Sequence, residues 1–261
     1  MWKERTELLL GRDGLLTLED STALVVGLGG VGAVAAEMLA RAGVGSLIIL
    51  DSDTVSETNK NRQLIALDST LGRRKTEVVK ERLLDINPEL KLTVVDKYLT
   101  EERMPEVFAS IPKPDAVVDA IDTLSPKLHL IKYCVDHCLP LVSSMGSGAK
   151  FDVTKIRITD ISKSFNCPLA HMVRKKPRHM GISKGFLAVF SEELPKEEAI
   201  VEMSRDEMSE VSNKKSQTGT ISYLPAAFGC ACAQAAISLI QRNLKRPYPE
   251  FKKLLDGVFR G

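Results

Sequence analysis

Short uninterrupted apolar runs alternate with longer segments of helical spacing through the first half of the chain. The runs are Thr22–Leu28, Leu47–Leu50, Leu92–Val95, Ala116–Asp119 and Leu141–Ser144. They are apolar without polar alternation, as strands covered on both faces of a parallel sheet require. Between them, Ala33–Ala42 carries small and apolar residues at helical spacing, and Gly43 supplies a stop. Arg74–Ile86 turns Val78, Val79, Leu83 and Ile86 to one side and ends at Asn87-Pro88. Pro126–Cys138 reads as a further helix, residues 100–111 as a helix or irregular crossover, and residues 1–20 as short helices ahead of the first strand. The alternation predicts an α/β fold: a Rossmann-like, mostly parallel sheet with helices on both faces and right-handed crossovers.

After residue 145 the pattern changes. Val153, Ile156, Ile158 and Ile161 alternate with polar residues, which predicts an antiparallel extension of the sheet in the C-terminal half. Pro168–Met180 reads as a helix with a basic end. Ser191–Gln217 is highly charged and without a sustained period, so a mobile loop is expected there. Tyr223–Ile240 has no charged residue and is nearly long enough to span a bilayer. Pro225, Gly229 and Gln234 dilute it, and the expected place is against the sheet or a second copy of the chain, with no membrane. The whole reads as one domain, 1–261, with a nucleotide-binding half at 1–145 and the remainder at 146–261.

Composition narrows the class. With 44% hydrophobic and 27% charged residues the chain suits a globular protein with a sizeable core. A net charge of +2 does not announce nucleic-acid binding, so any such contact needs a local patch. Glu4, Arg5 and Glu7 interrupt the N-terminus, no signal peptide is expected, and a cytoplasmic location follows. The five cysteines include no C-x-x-C pair; buried reduced thiols are expected, with neither a disulfide framework nor structural zinc.

The candidate chemistry starts at Gly27, Gly29, Gly30 and Gly32, a G-x-G-x-x-G turn between the first strand and helix. Such a turn brings backbone N–H groups close to a phosphate at a helix start. Asp51 ends the second run, where an acid can bind ribose hydroxyls. These features alone fit an NAD-dependent oxidoreductase equally well. The following loop changes the reading, because Asp53, Asn59, Asn61, Arg62 and Gln63 crowd the same sheet edge, with Lys75 next and Asp122 in VVDAID. An Arg and a Lys over a phosphate chain suit attack on the α-phosphate of ATP, where the leaving pyrophosphate builds negative charge. Asp122 is the candidate for holding Mg²⁺. The catalytic candidates are therefore Arg62, Lys75 and Asp122.

GLGGVG, the D-x-D-x-V-x-x-x-N-x-N-R-Q loop, the lysine after it and DAID resemble the ubiquitin-activating-enzyme-like superfamily of ThiF, MoeB and HesA. Within it, ERTELLLG, INP, PKLHLIKYC, SSMGSGAKFDVTKIRITDISKS and CPLAHMVR are most similar to the tRNA threonylcarbamoyladenosine dehydratases. The resemblance covers nearly the whole chain. It implies ATP-dependent activation of the threonyl carboxylate of the modified nucleoside, followed by ring closure with loss of water. It also implies a homodimer in which an N-terminal arginine, here Arg5, reaches the partner's ATP, and a crossover loop within 191–217. It raises a tRNA-phosphate role for Arg174, Lys175, Lys176, Arg178 and Lys184, and for Lys214 and Lys215, and it suggests cysteine desulfurase or sulfur-relay partners. The alternative within the superfamily is an adenylyltransferase acting on a ubiquitin-like sulfur carrier. Those relatives usually carry two C-x-x-C zinc pairs and often a crossover-loop cysteine, whereas this chain has no cysteine between Pro168 and Gly229.

Overall fold

The architecture comes from a computed structural model, which describes residues 2–175, 182, 184–202, 216–244 and 255. The chain opens with α1 (Glu4–Glu19), broken at Gly11, whose φ of 74° is not helical, so the expected short helices are present as two segments. The strand and helix units then follow in alternation: β1 (Thr22–Val26), α2 (Gly32–Ala42), β2 (Ser46–Asp51), α3 (Lys75–Ile86), β3 (Lys91–Asp96), α4 (Met104–Ser110), β4 (Ala116–Asp119), α5 (Leu124–Asp136) and β5 (Leu141–Ser144). Gly43, at φ 103°, takes the left-handed turn that ends α2. The second half adds β6 (Ile156–Asp160), α6 (Pro168–Lys175), β7 (Leu187–Ser191), β8 (Ile200–Glu202), β9 (Ser216–Thr218) and α7 (Tyr223–Ile240).

Seven strands form one sheet in the order β3-β2-β1-β4-β5-β7-β6. All neighbours are parallel except β6, which runs antiparallel to β7 at the edge. The expected antiparallel extension is thus a single strand. Val153 and Ile161, read as part of it, lie in 3-10 turns on either side. The continuous apolar runs explain the layering. In β1, Ala23 and Val25 face a core under α2, α3 and α7, while Leu24 and Val26 face a second core under α4, α5 and α6. Leu47 and Ile49 of β2 go to the first core, and Ile48 and Leu50 to the second.

Two expectations change. The first strand ends at Val26, because Gly27 turns the chain at φ 88°. The segment 191–217 is not structureless at its ends. Residues 200–202 pair antiparallel with 216–218 as a two-stranded ribbon, since Ile200 and Val201 lie in a local β-branched stretch that the surrounding charges mask. Helix α7 is long and apolar enough to cross a membrane by length and composition, yet it is a core helix here. Leu224, Phe228, Cys232, Ala235, Ala236 and Leu239 are buried in the first core, against α2 and the sheet.

Candidate active site

In a parallel sheet, ligands bind beyond the carboxyl ends of the strands where strand order reverses. That point lies between β1 and β4. Val26 of β1 is level with Leu50 of β2 and with Asp119 of β4, so the segments leaving all three strands open onto one crevice.

The glycine turn leaves β1. Gly27 lies against Ala120, where a Cβ would come 2.9 Å from the Ala120 carbonyl oxygen; at Gly32 a Cβ would overlap the Gly27 carbonyl. Gly30 abuts the Arg62 carbonyl and Pro225 of α7. A Cβ at Gly29 would meet only Gln63 Nε2, at 3.7 Å, so Gly29 is the open position of the cradle. Asp51 latches this turn to β2: Leu28 N–H donates to Asp51 Oδ2 at 2.5 Å, and Asp53 N–H donates to Oδ1 at 2.7 Å. The sequence reading places Asp51 at a ribose; in the structure its carboxylate holds the turn.

The loop after β2 folds back on itself. Val55 N–H donates to Arg73 O, Gly72 N–H to Val55 O, and Lys75 N–H to Asp53 O. This short ladder brings Lys75 to Asp53, and Lys75 Nζ donates to Asp53 Oδ2 at 2.8 Å. The Lys75 side chain is nearly buried and occupies the first residue of α3. A cation at the positive end of a helix is locally unfavourable, and the Asp53 carboxylate offsets this in part. Arg62 uses Nη1 on Thr58 O (2.9 Å) and Asn61 Oδ1 (2.7 Å). Asn59 Oδ1 accepts from Ser56 N–H, capping the 3-10 turn that carries the loop. Gln63 is 9% exposed, and its Oε1 is a buried acceptor with no protein hydrogen-bond partner among the described residues. A buried orphan acceptor costs free energy unless a ligand group satisfies it.

Beyond β4, Asp122 is exposed at the crevice mouth. Behind it lies a group that sequence reasoning missed. Lys127 and Asp119 are both fully buried and ion-paired at 2.6 Å. Lys127 Nζ also donates to Ser143 Oγ and Ser144 O, and Ser143 Oγ donates to Asp119 Oδ2. Asp119 Oδ1 accepts from Ile121 N–H, holding the turn that leads to Asp122. Nearby, burial pushes the Cys232 thiol up to about 12. A signal was available: Lys127 shares a helix face with Leu130, Ile131 and Cys134, so it stands at a core position. Lys150, on the segment after β5, is also buried; burial lowers its pKa, and it donates to Gly146 O at 3.0 Å.

The segment between β9 and α7 is tied down by hydrogen bonds. Ala149 N–H donates to Gly219 O, Gly219 N–H to Ala199 O, and Asn61 Nδ2 to Thr220 O. Arg5 is exposed on the first turn of α1 and takes no part in this cluster. Of the basic residues assigned to tRNA, Arg174 is half-buried and donates to Ser164 Oγ, while Lys175 and Lys184 are exposed. Lys176, Arg178, Lys214 and Lys215 lie outside the described residues. Among the described residues no three His, Cys, Asp or Glu side chains are grouped to hold a metal by themselves.

Comparison with known proteins adds to this geometry. Residues 4–257 match the ThiF family. The tRNA threonylcarbamoyladenosine dehydratase of Bacillus subtilis is 42% identical over 86% of this chain and 89% of its own length. The Escherichia coli protein of the same name is 41% identical over 72% of each chain. The crystal structure of the E. coli dehydratase TcdA in complex with ATP superposes with a TM-score of 0.81 at 34% identity, covering 92% of this chain and 93% of that one.

Proposed function

The chain belongs to the ThiF family, and from that premise we propose that it is an ATP-dependent tRNA threonylcarbamoyladenosine dehydratase. What carries the reading is one conjunction. A glycine turn, Arg62, Lys75 and Asp122 stand at a single crevice in a chain similar along most of its length to relatives of that name. The oxidoreductase reading leaves Arg62 and Lys75 without a task, and the carrier-protein reading lacks its usual cysteines.

The reaction has a clear physical logic. A free carboxylate offers no good leaving group, and ATP supplies one. Gly29, Gly30 and the start of α2 bind the phosphates through backbone N–H groups, and the orphaned Gln63 Oε1 takes a donor from the bound molecules. Asp51 is the ribose ligand. Arg62, Lys75 and Asn59 face the triphosphate and offset the charge that builds there. Asp122 fits a Mg²⁺ ion, which needs only one or two carboxylates besides nucleotide oxygens and water. Ring closure then gains from a tethered nucleophile, and no protein nucleophile is needed. This agrees with the Cys134 and Cys232 thiols, which burial holds in the neutral form.

The tRNA stays outside the crevice and presents the modified base; Lys175 and Lys184, with the other basic residues named above, contact its phosphates without reading sequence. The working location is the cytoplasm and the working form is a homodimer. The deciding experiment incubates the chain with tRNA carrying threonylcarbamoyladenosine and ATP–Mg²⁺, then reads the nucleosides by mass spectrometry. Loss of one water is expected with the wild type, and at least tenfold less with Asp122→Ala. A wild-type chain that leaves the nucleoside unchanged refutes the reading, and full activity in Asp122→Ala removes the metal assignment.

A further inference from the structure

We infer that Asn61 is a positioning residue for Arg62, and that it registers the arginine against the crossover segment. The inference rests on the reading of Arg62 as a phosphate ligand.

Asn61 is bound at both ends. Its Oδ1 accepts from Arg62 Nη1 at 2.7 Å, and its Nδ2 donates to Thr220 O at 3.0 Å. The two partners fix the amide's orientation. Turned over, it would set its NH₂ against a guanidinium and its oxygen against a carbonyl, two repulsive contacts. Thr220 stands just after β9 and just before α7, so the bond joins the loop that carries Arg62 to the segment leading into α7. That segment is itself held: Gly219 N–H donates to Ala199 O at 2.7 Å, and Gly219 O accepts from Ala149 N–H at 2.8 Å. Pro225 and the Arg62 carbonyl both touch Gly30, so the same segment meets the glycine turn.

The consequence for Arg62 is geometric. Its described hydrogen bonds all use Nη1, on Thr58 O and Asn61 Oδ1. Among the described residues, Nε and Nη2 have no hydrogen-bond partner and can meet a ligand. A guanidinium held by one nitrogen has lost most of its rotamer freedom before the phosphates arrive, which is how a long side chain becomes preorganised. Thr58 O lies on the same loop as Arg62, whereas the Asn61 amide that holds the guanidinium also reaches Thr220 on another segment.

The test is a double-mutant cycle on the full chain, with ATP-driven dehydration of modified tRNA as the reaction. Asn61 is exposed, so its variants are expected to fold. Asn61→Ala should lower kcat about tenfold, the usual weight of one hydrogen bond to a charged group, with the KM for ATP little changed. In an Arg62→Ala background the same substitution should cost less than twofold, because its effect passes through the arginine. Hydrogen exchange at the Gly219 amide should quicken in Asn61→Ala and not in Arg62→Ala. Wild-type turnover in Asn61→Ala, or losses that multiply in the double variant, overturns the positioning role. Unchanged Gly219 exchange in Asn61→Ala overturns the link to the crossover segment. Wild-type turnover in Arg62→Ala is a different failure: it removes the nucleotide reading of Arg62, and the inference with it.

Discussion

Lys127 shows what a single buried charge does in this protein. Its ammonium has three protein partners, Asp119 Oδ2, Ser143 Oγ and Ser144 O. An ion pair so deep is weak evidence for stability, since desolvation of both ions offsets their attraction. Breaking it is another matter. Lys127→Met strands the Asp119 carboxylate and should cost about 3–5 kcal/mol in urea unfolding. Adding Asp119→Asn, which removes the stranded charge and keeps an acceptor for Ser143, should recover most of that loss. A double variant no more stable than Lys127→Met would show that the pair is not the source of the cost. Residues of this kind were the least legible in the sequence. Asp119 looked like the polar end of a strand beside the more conspicuous Asp122, and nothing in the one-dimensional pattern says that an acid and a lysine eight positions later meet in the core. Gly32 was legible, because the motif names it and the Gly27 carbonyl leaves no room for a side chain.

Among the elements, α3 carries the strongest conflict between local preference and placement. It begins with Lys75, whose nearly buried ammonium lies at the end of the helix where cations are disfavoured by about 0.3–1 kcal/mol. Asp53 offsets this in part, but it is itself largely exposed and does not need the lysine for its own solvation. Lys75→Met should therefore leave folding stability within about 1 kcal/mol of wild type. It should lower ATP-driven turnover roughly a hundredfold, in the range lost with other transition-state donors. A large loss of stability with modest loss of turnover would make Lys75 a structural residue. The elements themselves were readable where the physics is local: continuous apolar runs became parallel strands, and Gly43 ended α2. The β8–β9 ribbon was not readable, since its pairing joins two short stretches through a charged segment. In β6 the alternation spanned Val153–Ile161, but only Ile156–Asp160 found ladder partners on β7.

For the whole molecule, the sheet order places every nucleotide candidate at one edge except Arg5. That residue shares α1 with Trp2 just ahead of it and with Leu8 and Leu9, which are 52%, 79% and 64% exposed. Large apolar side chains beside an exposed arginine fit a surface covered by a second copy. Light scattering at micromolar concentration should return a dimer, and Leu8→Glu/Leu9→Glu should return a monomer with reduced turnover. A wild-type monomer that retains full activity would sink the assembly and the role of Arg5 together. The packing of α7 has a consequence for how the chain is made. Pro225 and Gly229 press on Gly30 and on Val31 and Val34, so α7 buttresses a turn made about 200 residues earlier in the chain. At the usual pace of translation, the glycine turn leaves the ribosome roughly 10–40 s before that helix follows. During that interval the apolar side of α2 lacks this cover, and the glycine turn of a nascent chain stays open until α7 emerges.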